Sequence, residues 1–571
     1  MNPVLDKTWF KLPIEYLEES VVHNLSPVVE SDLELANSNA RSMYSVLLQP
    51  KTELGDAIIH RIKTQYTSDV EFLTQSQEIL KTVSPSSIDK DRASKLLNIW
   101  RDMYDTDGFH ERHGYVDMEQ IKFINKMSTF MGYWTIMNLI SPIFSIILPF
   151  LFIIAPFVIL RIKSVPITFS TYIDLLKDLA KSHAIGKTLT SFENFSVNNF
   201  IYVIFTVGMY GLQMYQNCKH CVRFYDNINT VNDHLLTVKE FVDHSITNVE
   251  TFMKTGSQHS KYSGFCEDGN KQLTVLRNMK QELMGVEKLE VGVWNVAKKC
   301  FDIGYLLKTY YCLYDIPEYK EAFSYAMTFE AYRSSLEGIA NRVNSGIVNY
   351  GNLQKSKVTS FVKQIYPPLI DVNSVSNDLS LKNNLIITGP NASGKTTQLK
   401  TTAINVILTQ QFGVGFYESC DLSPYTHIHS YLNIPDTSGR DSLFQAEARR
   451  CKEIVDVIDD ESASSGSKHF CIFDELFSGT NADEATSASY GFLKYLQKHE
   501  NVDFILTTHF VKLCKKVKKN KMLRIANYKM DAVLNDNSID FSYKLVCGIS
   551  KIKAAKLILM QMGFPDEIVN S

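Results

Sequence analysis

The sequence has almost no net charge to spend on a polyanionic partner. Its 571 residues hold 59 Lys+Arg against 62 Asp+Glu, a formal net charge of −3 with pI near 6.5. No global basic bias announces nucleic acid, so any such contact has to come from a local patch. A cysteine framework is equally absent. The ten cysteines are scattered, and only Cys218 and Cys221 form a C-x-x-C, with no second pair nearby to complete four zinc ligands. That usage suits free thiols in a reducing compartment. The opening MNPVLDKTWF leads into a charged, helix-like region and lacks an apolar core of signal length, so a secretory leader is not expected. The length allows three or more domains, and one activity need not explain all of them.

One stretch lacks charge altogether. Met131–Leu160 runs for thirty residues without Asp, Glu, Lys or Arg, beyond the roughly twenty needed to cross a bilayer. Pro142, Pro149 and Pro156 recur within it, Tyr133 and Trp134 sit near one end, and Arg161 and Lys163 close the other. A second apolar run, Phe200–Tyr215, follows. Together they suggest a transmembrane hairpin over residues 129–217 that returns both flanks to one side, with a core hairpin of a water-soluble protein as the alternative. Residues 1–128 place Ile58, Ile62, Tyr66, Val70 and Leu73 at helical spacing and read as a helical region. Residues 218–355 read as long amphipathic helices, with heptad-like Leu235, Val238, Val242, Val249 and Phe252 interrupted by Ser245. Such helices can transmit force or simply form a bundle core.

Chemistry enters in residues 356–571. Leu385–Lys400 reads LIITGPNASGKTTQLK, an apolar strand, a glycine loop and a helix start. Gly389, Gly394, Lys395 and Thr396 satisfy G-x-x-x-x-G-K-[ST]. The loop from Gly389 through Pro390, Asn391, Ala392, Ser393 and Gly394 to Lys395, Thr396 and Thr397 is the candidate ATP site, its N–H groups turned toward phosphate oxygens. Thr396 is a candidate Mg²⁺ ligand. HFCIFDE, His469–Glu475, is an apolar strand ending in two acids, of which Asp474 suits the Mg²⁺ shell and Glu475 the attacking water. A further strand ends in Thr507, Thr508 and His509, which puts the histidine within reach of the γ-phosphate, because ligands of open α/β sheets gather at strand C-terminal ends. A single site binding ATP has to face a nucleotide-containing, cytosol-like compartment. Lys512, Lys515, Lys516, Lys518, Lys519, Lys521 and Arg524 crowd one segment and could meet DNA, though no aromatic interleaves them for base stacking.

Several of these motifs, in order, resemble the ATPase domain of the MutS family of DNA mismatch repair. Ser376, Asn377 and Asp378, the Pro390 and Asn391 of GPNASGKTT, DSLFQAE from Asp441 to Glu447, FDELFSGTN from Phe473 to Asn481, TTHF, and the closing FSYKLVCGIS and GFPDEIV carry the resemblance. It implies an α/β P-loop ATPase of ABC/MutS type at the C-terminus, preceded by mostly α-helical regions and the candidate hairpin. It also implies a homodimer in which Ser442 completes the partner's site. Leu443 departs from the family's signature, the closing SYG is replaced around Ile552, Lys553 and Ala554, and no N-terminal Phe-x-Glu wedge stands in a plausible setting. The expected function is therefore ATP hydrolysis in mismatch repair or related DNA maintenance, in a divergent, membrane-associated branch. The alternative is a membrane-anchored ATP switch acting on protein or lipid.

Overall fold

The computed structural model describes residues 9–36, 42–85, 88–163, 168, 170, 172–173, 197–289, 296–354, 358–370, 374–432, 434, 442–461, 466–534, 539–552, 562 and 564–569. Asp441, Lys553, Ala554 and most of the connection between the two apolar runs lie outside them. The chain forms two compact units, each discontinuous in sequence: Lys95–Ile246 with Thr274–Phe323, and Met1–Ser94 with Thr247–Leu273 and Ser324–Ser571.

The first of these is helical. The uncharged run lies on α1 (Ser128–Ile162), and the second run opens α2 (Val197–Gly256). Stretch Ser128–Ile147 has mean hydropathy 1.4 and is mostly exposed, and it is the one helix among the described residues long and apolar enough to cross a membrane. Polar groups along the pair bond to each other: Tyr210 donates to the Ser145 carbonyl, Asn217 Nδ2 to Ser145 Oγ at 2.5 Å, and Cys221 Sγ to the Leu139 carbonyl at 3.6 Å. At its other end α1 crosses α3 (Val296–Asp315) at paired glycines. A Cβ on Gly304 would fall 2.3 Å from the Gly132 nitrogen, so only glycine permits this approach. Around the crossing, Asp102 accepts from His113 Nε2 and Tyr310 Oη, each at 3.0 Å, and pairs with Arg112. Burial alone would raise its pKa, but the bond and charge of His113, with Arg112, outweigh burial and hold the carboxyl well below its usual range.

The other unit is built on a six-stranded sheet. Its strands are β1 (Asn384–Thr388), β2 (His427–Tyr431), β3 (His469–Asp474), β4 (Val502–Thr508), β5 (Ile525–Leu534) and β6 (Ile539–Cys547), in spatial order β2-β3-β4-β1-β5-β6. All pairings are parallel except β5 with β6. The inner strands are buried on both faces, which is why LII, CIF and FIL read as unbroken apolar runs rather than alternations. From β1 the chain passes through the glycine loop into α4 (Lys395–Phe412), which ends at Gly413 with φ +72°.

The N-terminal segment belongs to this unit. Helices Glu53–Ile62 and Val70–Thr82 are separated by a short strand, Gln65–Thr67, paired with Val22–Asn24. Tyr66, expected on a helix, therefore sits on a strand. Asp69 restarts the helix by capping the Phe72 N–H at 3.0 Å. The heptad-like residues of α2 are buried as a continuous stripe, and Ser245, also buried, does not break the helix.

Four histidines gather where β2 and β3 meet the N-terminal strand. The ring of His427 lies 4.7 Å from that of His469 and 6.4 Å from His23, and His429 Nε2 lies 3.2 Å from His469 Nδ1. An open cavity of about 380 Å³ beside them is also lined by Tyr66, Arg450 and Glu453. Burial, reinforced by neighbouring imidazoles, pushes His23 and His469 down to about 4 and His429 to about 3. Arg450 adds to the depression at His429, His499 to that at His469, and Glu461 opposes it at His427. The unfolded chain, whose histidines titrate near 6.5, then takes up more protons than the folded chain between those values. Stability is complete above about pH 6.5 and falls below it by about 1.4 kcal/mol per pH unit for each such ring. Urea midpoints measured from pH 7.5 to 5 should decline, and His469→Asn should reduce the slope. An unchanged slope would refute the assignment.

Candidate functional site

The glycine loop is shaped by backbone conformations that few residues tolerate. Gly394, the N-cap of α4, has φ +90°, and Ala392 is left-handed at +61°. At Gly389 a Cβ would lie 2.6 Å from Ser393 Oγ. Ser393 Oγ is itself buried and makes no hydrogen bond among the described residues. Lys395 is only 6% exposed. Its ammonium donates to the Pro390 carbonyl at 3.1 Å and lies 3.2 Å from His509 Nε2. Burial lowers its pKa, and the charges of Glu475 and Asp474 only partly restore it. A buried cation and an orphaned hydroxyl beside a helix N-terminus fit a phosphorylated ligand. Asn391 and Ala392 are exposed at the loop's rim, while Thr397, on the first turn of α4, accepts a bond from Thr401 through its carbonyl.

The parallel sheet brings the acids to the same edge. Thr396 Oγ1 donates to Asp474 Oδ2 at 2.7 Å, and Thr507 Oγ1 donates to the other oxygen. Thr396 and Asp474 thus form an oxygen pair suited to a hard divalent cation. Next to it, Glu475 takes φ +53°, outside the range most residues adopt, which marks a site held by its surroundings. Its Oε1 lies 2.8 Å from His509 Nε2 and 4.0 Å from Lys395 Nζ. The hydrogen bond from His509 is the main cause that lowers the Glu475 pKa, with burial opposing. His509 Nε2 cannot serve both neighbours at once. It accepts from the Lys395 ammonium when unprotonated and donates to the Glu475 carboxylate when it carries the proton.

Lys395, Thr396, Asp474, Glu475 and His509 therefore converge. Ser442 does not join them: it is exposed at the N-cap of α5 (Leu443–Glu461), where its N–H donates to Gln445 Oε1 at 2.9 Å and its hydroxyl accepts from the Gln445 N–H at 3.3 Å. The basic segment forms α6 (Val511–Lys519), with Leu513, Cys514 and Val517 buried and the lysines exposed. Lys512 pairs with Asp483 at 2.6 Å, and Lys516 lies over the Tyr490 ring at 4.3 Å. Sequence reasoning named two further residues without seeing their supporting roles. Thr507 buttresses Asp474, and Asn377 ties three elements by donating to Gln398 and the Tyr543 carbonyl and accepting from the Leu545 N–H. Only the threonine's place at a strand end hinted at its role. Among the described residues no cluster of His, Cys, Asp or Glu is arranged to hold a metal by itself.

Sheet and loop define an α/β domain with a glycine-rich strand–loop–helix at the carboxyl ends of parallel strands. Its kind is shown by comparison: residues 385–571 match the family described as MutS domain V. The chain is 26% identical over 271 residues to the DNA mismatch repair protein MSH3 of Candida glabrata, covering 44% of this chain and 25% of that protein. It is 28% identical over 209 residues to the DNA mismatch repair protein MutS of Prochlorococcus marinus (35% and 22%), and 25% identical over 228 residues to the Endonuclease MutS2 of Staphylococcus epidermidis (38% and 27%). Residues 385–571 therefore carry a MutS domain V. The aligned stretches span only about a quarter of each of these relatives.

The left-handed Ala392 supplies a test of the loop. It is exposed, so Ala392→Gly removes one methyl and relieves a backbone cost of roughly 1–2 kcal/mol, offset by the entropy of an added glycine. The variant should unfold at slightly higher denaturant, by roughly 0.5–1 kcal/mol. A clear loss of stability would mean the loop conformation is not the one described.

Proposed function

We propose that this chain binds and hydrolyses ATP with Mg²⁺, acts as a homodimer through its C-terminal domain, and serves DNA mismatch repair or a related form of DNA maintenance. The observation that carries the reading is the convergence of Lys395, Thr396, Asp474, Glu475 and His509 at the end of a glycine loop whose buried Ser393 hydroxyl makes no hydrogen bond among the described residues. When bound, ATP supplies the scissile phosphoanhydride, and Mg²⁺ offsets its charge. Backbone N–H groups of Asn391–Thr397 would hold phosphate oxygens, and Lys395 would exchange its internal partners for them. Thr396 and Asp474 hold the cation. Glu475 orients water and accepts its proton, while His509 holds the Glu475 carboxylate in place. Family relatives named for DNA mismatch repair support the DNA role, and exposed α6 is a candidate phosphate contact.

Glu475→Gln should lower ATP turnover by about a hundredfold or more while leaving ATP binding intact. Turnover measured across duplex, branched and mismatched DNA tests the partner. Stimulation supports the DNA reading. Intact basal turnover with no response to any form refutes it.

The second reading, an ATP switch anchored in a membrane and acting on protein or lipid, is favoured by one observation: α1 exposes Ile143, Phe144, Ile146, Ile147, Leu151, Ile154, Phe157, Val158 and Ile159 together. An apolar surface of this extent is costly in water, and the polar groups bonded between α1 and α2 have the internal satisfaction that lipid demands. Full-length protein should sediment with membranes and resist carbonate and salt extraction but not detergent. Recovery in the soluble fraction would remove the anchor.

A further inference from the structure

The basic segment runs into a second cavity, at the end of the sheet opposite the ATP site. Between Phe510 and Arg524 stand seven lysines and arginines and no acid. Lysines three and four apart on one helix repel each other. Asp483 relieves Lys512, but Lys515, Lys518, Lys519, Lys521 and Arg524, all exposed, make no ion pair among the described residues. The lysines in the last turn of α6 answer the helix dipole, whereas Lys521 and Arg524 lie beyond it.

After α6 the chain makes a pinned turn. Asn520 Nδ2 donates to the Tyr490 hydroxyl at 3.0 Å, and Asn520 Oδ1 accepts from the Met522 N–H at 3.1 Å. Leu523 packs against the core, which leaves Met522 89% exposed, the most exposed of the large apolar side chains described. Met522 and Arg524 then line an open cavity of about 420 Å³ with Lys382, Lys468, Lys498 and Val358, the last also exposed. Two acids, Glu500 and Asp503, reach it too, but Asp503 is engaged by Lys468 at 3.2 Å and by the Tyr425 hydroxyl at 2.8 Å. Backbone contacts fix the wall: the Arg524 N–H donates to Gln497 Oε1 at 2.8 Å, and the Arg524 carbonyl accepts from the Asn384 N–H at 3.0 Å. Lys468 and Arg524 directly precede β3 and β5, so the cavity lies at the amino ends of the parallel strands, away from the edge that carries Lys395 and Glu475.

We propose that this surface docks on a membrane leaflet containing anionic phospholipid. Met522 enters the boundary between headgroups and acyl chains, the lysines around it neutralise the lipid's anionic groups, and the cavity receives a headgroup. This goes beyond the functions proposed above and depends neither on the ATP site nor on the apolar helices of the other unit. Duplex DNA offers the same phosphates to the same lysines. Met522 and Val358 decide between the two, because against a hydrated sugar–phosphate backbone they would lose water and gain no apolar partner, whereas a leaflet supplies acyl surface beside its anions. Nor does any aromatic residue stand between Val511 and Arg524 to stack on a base.

The test uses full-length protein reconstituted in vesicles of phosphatidylcholine, alone or mixed with phosphatidylserine. Met522→Trp places a reporter at the tip of the turn. Lipids brominated on their acyl chains should quench it, beyond the quenching of unsubstituted protein, in the mixed vesicles, and high salt should remove the effect. Each lysine beside an anionic surface contributes roughly fivefold in binding. Lys518→Gln, Lys519→Gln and Lys521→Gln, combined with Met522→Trp, should therefore weaken docking by about a hundredfold and abolish the added quenching. Lys498→Gln with Arg524→Gln is a second, independent set at the cavity and should reduce it in the same direction. Added quenching that is absent from both vesicles, or equal in both and indifferent to the lysines, overturns the proposal. So does full displacement by inorganic phosphate at matched ionic strength, which would reveal a simple anion site. Duplex DNA bound through the same lysines, with no quenching by lipid, overturns it in favour of nucleic acid.

Discussion

A helix buried on every side can keep polar side chains only if each finds a partner, and α4 depends on that condition. Its exposed surface is nearly nil, yet it carries Asn405, Thr409, Gln410 and Gln411. The amide of Gln410 bridges the Thr67 and Tyr425 carbonyls and receives the Tyr425 N–H, while Gln411 donates to the carbonyls of Ile62 and Gln65. From the other side, Gln77 donates to the carbonyls of Gly351 and Gly413, each at 2.7 Å. Leaving any one of these amides unpaired would cost roughly 1–3 kcal/mol. The N-terminal segment is thus part of the structure that holds the glycine loop's helix in place.

What α4 holds is a site whose charges are already engaged with one another. Lys395 rests against Pro390, His509 and Glu475, and Asp474 is bonded by Thr396 and Thr507. A ligand entering such a site would exchange partners with these groups rather than meet bare charge. The left-handed backbone at Ala392, Glu475 and Phe477 lies along one path, from the glycine loop to the turn after β3. Glu34, Gln49, Lys363 and Tyr543 share that conformation elsewhere, but only along this path does it fall on the residues of the candidate site.

The site was legible in the sequence to the extent that it is local. A glycine loop after LII, two acids after CIF and a histidine after FILTT are each short patterns at strand ends, and a parallel sheet necessarily brings such ends to one edge. The strand at Gln65–Thr67 was not legible, because Tyr66 continues a helical spacing across a break that only pairing with Val22–Asn24 explains. The docking of the N-terminal segment was hidden for a different reason: it is made by scattered polar side chains, among them Asp32, Tyr66, Gln77, Gln410 and Gln411, which carry no periodicity. Glu447 stood in a recognisable motif, but its partners, Ser478 and Gly479, lie 31 and 32 residues further on, and nothing in the intervening sequence announces a buried carboxylate without a cation.

The bonds of Gln77 span 274 and 336 residues of chain. During synthesis the amide leaves the ribosome long before either carbonyl exists. Helix Val70–Thr82, with Phe72, Leu73, Ile79 and Leu80 destined for burial, waits through the making of the apolar helices and most of the remaining chain. Contacts of such sequence separation form slowly and leave hydrophobic surface waiting for its match. The amide of Gln77 therefore completes its bonds only once residue 413 has been made, and the apolar face of its helix waits with it.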